Sequence, residues 1–159
     1  MQCKERLETY LREQQVPFQL QHHARTFSAQ KIAECEHIPS KIVAKTVMAL
    51  ADNHMIALVL PATSRADLNQ VRTALGVKEI RLAHEREFAD TFPDCEVGTM
   101  PPFGNLYNIP VYVEKHLTEQ ETIVFPVGTS TDTMSLKYAD FERLVHPQVN
   151  TFVYTTSLA

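Results

Sequence analysis

Glycine is scarce in this chain: four of 159 residues, at Gly76, Gly98, Gly104 and Gly128. None belongs to a Gly-x-Gly-x-x-Gly or Walker pattern, which argues against nucleotide sites built on glycine-rich phosphate cradles. Cysteine is equally rare. Cys3, Cys35 and Cys95 are odd in number and widely spaced, as expected of reduced thiols in a cytosol. Cys95 reads as a free thiol, with a nucleophile as the sharper alternative. No cysteine pair has zinc-site spacing, and His84-Glu85-Arg86-Glu87-Phe88 opens like a HExxH helix but lacks the second histidine. No metal and no cofactor are therefore expected. Nor does any apolar run approach the roughly 20 residues of a membrane helix. The charged amino terminus, MQCKERLETYLREQQ, is unlike a signal peptide. The expected location is the cytoplasm, with no membrane partner.

Basic charge is also in short supply. Fifteen Lys and Arg stand against nineteen Asp and Glu, for a formal charge of −4. That balance argues against a general DNA coat, which draws its affinity from phosphate neutralisation. The charge is uneven, however. Residues 1–20 balance, residues 21–81 carry a surplus of three positive charges, and residues 82–159 a surplus of seven negative ones. A chain that is acidic on average can still present a positive side to an anionic partner.

What is present is 44% hydrophobic residues with 21% charged, enough for a packed core in one domain over 1–159. Hydrophobic periodicity predicts an amphipathic helix over residues 3–15, with Leu7, Tyr10 and Leu11 on one face. A second helix, N-capped by Ser28, ends before Pro39. Residues 42–50 and 55–60 read as two strands of a hairpin, and Asp67 caps a helix that Gly76 stops. A short strand at 79–82 and a helix at 84–88 follow. Further strands are expected near 106–113, 122–127, 133–136 and 151–154, with a helix at 138–145. The fold class is α/β (α+β): a mixed six- to seven-stranded, barrel-like sheet flanked by helices.

Lys45 is the most informative single residue. Alternation along 42–50 puts Ile42, Ala44, Thr46, Met48 and Leu50 on one face and Val43, Lys45, Val47 and Ala49 on the other. Both faces are largely apolar, so a lysine there is either a partly buried functional ammonium or a gatekeeper on an edge strand. The segment Gly98-Thr99-Met100-Pro101-Pro102-Phe103-Gly104 holds two of the four glycines and a proline pair. Fixed φ angles and missing N–H donors make such a loop rigid, with carbonyls left over for a ligand; the plainer reading is a structural turn. His23 reads as a surface histidine ahead of a helix. The hydroxyl-rich Gly128-Thr129-Ser130-Thr131 either lines a pocket or forms a strand-end turn. Asp90, Asp94 and Glu96 read as solvated carboxylates.

Taken in order, these landmarks resemble the YbaK/prolyl-tRNA-synthetase-associated (ProX-like) family of aminoacyl-tRNA editing domains. The resemblance rests on Ser28-Ala29-Gln30 with Ile32-Ala33, Val43-Ala44-Lys45-Thr46-Val47, Leu60-Pro61, Leu68 and Leu75-Gly76. It continues through Leu82-Ala83 with Glu85, the Gly-x-x-x-Pro of Gly98 to Pro102, Val111-Tyr112-Val113 and Gly128, and covers about residues 20–147. It implies hydrolysis of a mischarged aminoacyl ester at the 3′ end of tRNA by a trans-acting deacylase, with the substrate's own 2′-hydroxyl assisting. An aminoacyl-tRNA synthetase is an implied second partner. Lys45 matches the family lysine and takes the catalytic, electrostatic role. Gly98, Thr99, Met100, Pro101, Pro102, Phe103, Gly104, Gly128, Ser130 and His23 form the implied substrate-binding set. The sequence departs from the family pattern at Lys31, where many relatives carry glutamate, at Glu114 for a frequent aspartate, and at Ser130 for a frequent histidine. The alternatives are a non-catalytic amino-acid or aminoacyl-tRNA binding module of the same fold and a hydrolase of another aminoacyl or peptidyl ester. A pocket at the boundary of the two charge regimes, with few phosphate contacts, is expected.

Overall fold

In the computed structural model, residues 2–23, 29–96 and 98–154 are described. The organising element is a hairpin of two eight-residue strands, β2 (Ala44–Ala51) and β3 (His54–Pro61), paired in register from Ala44↔Pro61 to Ala51↔His54. Its two-residue turn puts Asp52 and Asn53 at φ of 47° and 67°, the left-handed pair that matches strand twist. The Asp52 carboxylate then accepts the backbone N–H groups of Glu79 (2.8 Å) and Lys78 (3.1 Å), tying the turn to the segment that becomes β4 (Ile80–Leu82). Those two donors hold the Asp52 carboxyl below its ordinary range.

Around the hairpin grows a five-stranded sheet in the order β4-β2-β3-β5-β8, where β5 is Val111–Glu114 and β8 is Gln148–Asn150. β3 is antiparallel to β2 but parallel to β5. It is buried from Ile56 to Pro61, which explains its unbroken apolar sequence. A second, three-stranded antiparallel sheet has the order β1-β7-β6, with β1 Gln19–His22, β6 Thr122–Pro126 and β7 Asp132–Lys137. An isolated parallel bridge, Val43↔Val124, joins the two sheets. Among the described residues there are thus eight strands in two sheets, where six or seven in one barrel-like sheet were expected. β1 and β8 are short and mostly exposed, so neither carries a strong apolar signature. The strand expected at 151–154 is displaced to β8, leaving Val153 in an isolated bridge to Ala66.

Two cores result. On one face of the large sheet, Ala44, Met48, Ala57, Val59, Val111 and Val113 pack against Ile123, Phe125, Met134 and Leu136 of the small sheet. Leu7 and Leu11 of α1 (Cys3–Glu13) and Phe141 of α6 (Tyr138–Val145) complete that core. On the opposite face, Ala49, Ala51, Ile56, Leu58 and Leu60 pack with Val71 of α3 (Leu68–Leu75), Phe152 and Val153. α3 begins and ends as its sequence predicts: the Asp67 carboxylate accepts the Asn69 N–H at 3.0 Å, and Gly76 closes it at φ 68°. α2 (Ala29–Glu36) stops before Pro39; the Ser28 cap expected for it lies outside the described residues. α4 (Glu85–Phe88) and α5 (Lys115–Thr118) are single turns. In α4 the Glu87 carboxylate caps the His84 N–H and binds Arg81 through both oxygens (2.8 and 2.7 Å), so these residues serve a helix start.

The cysteine expectation is corrected. Cys3 and Cys95 form a disulfide with their Cα atoms 5.7 Å apart, leaving Cys35 free and exposed. The pairing spans 92 positions, so neither the odd count nor the spacing revealed it. It also removes Cys95 as a nucleophile.

Candidate active site

Lys45 sits where the outer edge of β2 changes partner. That edge meets the small sheet at Val43 and β4 only from Ala49 to Ala51, so Lys45 and Val47 border the gap between the two. The side chain follows the Leu60 face, the side of the smaller core. There it lines an open cleft of about 360 Å³ with Val47, Arg65, Ala66, Leu68, Asn69, Leu82 and Tyr154. Among the described residues no carboxylate pairs with Lys45, and its charged neighbour is Arg65. Burial, and then the Arg65 charge, push its pKa below the ordinary lysine value. A half-buried ammonium beside a second cation is the arrangement that an anionic ligand would stabilise.

The final residues of the described chain build the far wall. The Tyr154 N–H donates to the Arg65 carbonyl (3.0 Å), the Asp67 N–H to the Phe152 carbonyl (2.6 Å), and the Gln70 side chain to the Val153 carbonyl (3.1 Å). The Arg65 guanidinium then lies 5.7 Å from the Tyr154 ring centre, and both side chains are exposed. Sequence reasoning missed Arg65 and Tyr154. The uneven charge was a signal for the first; nothing local marks the second.

The Gly98–Gly104 loop is placed elsewhere. Its Met100 and Phe103 belong to the larger core, across the sheet from Lys45, and none of its residues lines the Lys45 cleft. Thr99, Met100, Pro101, Pro102, Phe103 and Gly104 are all buried, and Phe103 packs against Phe141 and Phe125 with ring centres 5.5 and 5.6 Å apart. A Cβ at Gly104 would lie 2.6 Å from the Ile109 carbonyl oxygen, so that glycine is demanded by close packing. Gly98 differs: it is exposed, at φ 79°, with nothing within 4 Å of where a Cβ would stand. The carbonyl of Thr99 accepts the Gly128 N–H (2.8 Å), whereas those of Gly98, Met100, Pro101 and Pro102 accept no hydrogen bond from the described residues. The loop's buried side chains thus support the core.

The structure does bring the loop, Gly128, Ser130 and His23 together. The Glu96 N–H donates to the Gly128 carbonyl (2.9 Å), and the Glu96 carboxylate accepts the Ser130 N–H (2.7 Å). Glu96, exposed as expected, is also a clasp between the loop and the turn. The His23 N–H donates to the Thr131 carbonyl (2.8 Å), and its Nε2 lies 3.7 Å from a Glu36 oxygen that also accepts the Thr133 hydroxyl (2.6 Å). His23 is 9% exposed, so the surface-histidine reading is corrected. Because the Val43–Val124 bridge is parallel, Lys45 and the Gly128 turn leave the sheet junction in the same direction. Glu114 is fully buried and accepts the backbone and ring nitrogens of His116 (both 2.7 Å), capping α5. Among the described residues no cluster of three or more metal-ligating side chains is found, and no helix is long and apolar enough to cross a membrane.

With this geometry in place, the sequence matches the aminoacyl-tRNA editing domain over residues 23–144, and the chain belongs to that family. Among solved structures, the hypothetical protein APE2540 superposes with a TM-score of 0.84 at 19% identity, covering 93% of this chain and 99% of that one. A proposed trans-editing enzyme for prolyl tRNA synthetase gives 0.82 at 16% identity, covering 96% and 98%. A proposed signal transduction protein from Marinobacter aquaeolei VT8 gives 0.69 at 18% identity, covering 90% of this chain but 29% of that one. At these identities the likeness is one of fold. No curated protein matches the sequence.

Proposed function

We propose that this protein is a trans-acting aminoacyl-tRNA deacylase that removes a mischarged amino acid from the tRNA 3′ end in the cytoplasm, working alongside an aminoacyl-tRNA synthetase. Within a family defined by editing, the observation that carries the reading is Lys45: a half-buried ammonium on a cleft wall, beside Arg65 and without an acidic partner among the described residues. The ester is already activated. Water adds to its carbonyl carbon, the bond to the ribose oxygen breaks, and that oxygen leaves with a proton, giving free amino acid and uncharged tRNA. Lys45 balances the negative charge that grows on the carbonyl oxygen, a role for which a preorganised cation is suited. Selectivity follows from the shape of the space left for the amino-acid side chain.

One observation favours a second reading. The same fold makes up under a third of the Marinobacter signal transduction protein, so it also occurs as a module of larger chains. Single-turnover deacylation of a panel of mischarged tRNAs separates the two. Hydrolysis of at least one member supports the deacylase; hydrolysis of none, with free amino acids raising the melting temperature, supports a binding module.

A further inference from the structure

The wall of the Lys45 cleft contributed by Arg65 and Tyr154 has no role in the deacylation just described. We infer that Arg65 and Tyr154 form a subsite for a single-stranded nucleotide end, the base stacking on the Tyr154 ring and a backbone phosphate held by the Arg65 guanidinium. This rests on the deacylase reading and names how the substrate's nucleic-acid half is seated.

Three observations carry it. First, two cations face one cleft with no acid on its walls: the lining is Lys45, Arg65 and Asn69 among apolar residues. Asp67, close in sequence, is turned away, its oxygens taken by Asn69, Gln70 and the Gln70 amide. Second, Tyr154 and Leu82 are among the few large hydrophobic side chains left exposed, at 52% and 50%, and both border this cleft. An exposed aromatic face beside a cationic groove is the usual platform for unpaired bases, because every base has a π-face. Third, the chain carrying the platform is anchored beside the cleft. Hydrogen bonds between the main chain of 152–154 and Arg65, Asp67 and Gln70 hold the Tyr154 backbone at the start of α3, and the guanidinium 5.7 Å from the ring centre adds cation–π contact. Beyond the cleft, Arg72 and Lys78 line a neighbouring depression of about 350 Å³ together with Glu79 and the Glu87-paired Arg81. A duplex would need a broader basic face, whereas one or two unstacked nucleotides fit the cleft.

The test titrates the full-length protein with a fluorescently labelled cytidine-cytidine-adenosine trinucleotide carrying a free 3′-hydroxyl. Wild type should bind, and Tyr154→Phe should bind as wild type. Tyr154→Ala should lose about tenfold in affinity, within the range for one stacked base. Arg65→Ala should weaken binding and reduce the slope of log affinity against log salt by about 0.7, one phosphate on a single strand. In turnover, both weakening variants should raise KM and leave kcat unchanged. Thermal melting checks that each variant is folded, and Tyr154→Leu, which retains apolar bulk, replaces the alanine variant if that one is not. Unchanged affinity and KM in Tyr154→Ala and Arg65→Ala would overturn the subsite while leaving the Lys45 reading intact. Displacement of the trinucleotide by an equal concentration of pyrophosphate would also overturn it, by showing an anion hole without stacking. Wild-type deacylation in Lys45→Ala would instead remove the reading on which the subsite rests.

Discussion

A lysine that costs stability where it stands is informative about what it is for. Folding lowers the Lys45 pKa from its ordinary 10.5, so the unfolded chain keeps its proton to higher pH than the folded one. Stability contributed at this position therefore rises with pH between the lowered value and 10.5, and below that window the half-buried ammonium is a net cost. Lys45→Met should raise the melting temperature at neutral pH while abolishing deacylation, as read by thermal melting and single-turnover assays on the same preparation. Enzymatic deacylation, corrected for spontaneous hydrolysis, should fall as pH rises through the lowered Lys45 value, because the ammonium is the working form. Lys45 was legible because one charge in an otherwise apolar strand is hard to explain away. Its partner Arg65 was not, since it lies in the irregular segment after β3, where periodicity says nothing about which way a side chain turns. Phe103 shows the opposite error. A residue in a glycine- and proline-rich loop reads as ligand-facing, yet packing between Phe125 and Phe141 claims it for the core.

At the level of elements, local chemistry that acts over a few residues was readable. The Asp67 cap, the Gly76 stop, the hairpin turn and the helix at 138–145 all stand where the sequence puts them. Asp67→Ala should cost about 1 kcal/mol through the lost cap, measured by urea unfolding. The same substitution should loosen the start of α3 and so raise KM more than it lowers kcat, since Arg65 and Asn69 flank that residue. β1 and β8 were missed because strands of four and three residues on exposed edges present no alternation to detect. The Glu96 clasp was missed because an exposed carboxylate looks solvated until the turn carrying Ser130 arrives from 34 residues away. Glu96→Ala should cost about 1–2 kcal/mol, the worth of a hydrogen bond to a charged acceptor, again read by urea unfolding.

The whole molecule is governed by connections that no local pattern encodes. The Cys3–Cys95 disulfide encloses 92 positions of chain and ties α1 to the residue preceding Glu96. Closing so long a loop restricts the unfolded state, so reduction or the Cys3→Ser/Cys95→Ser pair should cost about 2–4 kcal/mol in urea unfolding. The charge asymmetry, by contrast, was visible in the sequence and survives folding at one place: Lys45 and Arg65 line a cleft without an acidic side chain on its walls. An acidic protein can thus meet an anionic end locally, without a broad basic face. Everything functional in this picture turns on one ammonium. The most direct measurement is single-turnover deacylation by Lys45→Ala, at neutral pH, of the mischarged tRNA that wild type hydrolyses best, with thermal melting to show that the variant is folded. The account predicts a folded variant whose rate falls by about 10²–10³-fold, the loss expected when a charge-stabilising group is removed from the transition state. A folded Lys45→Ala protein that hydrolyses the ester as fast as wild type would contradict it.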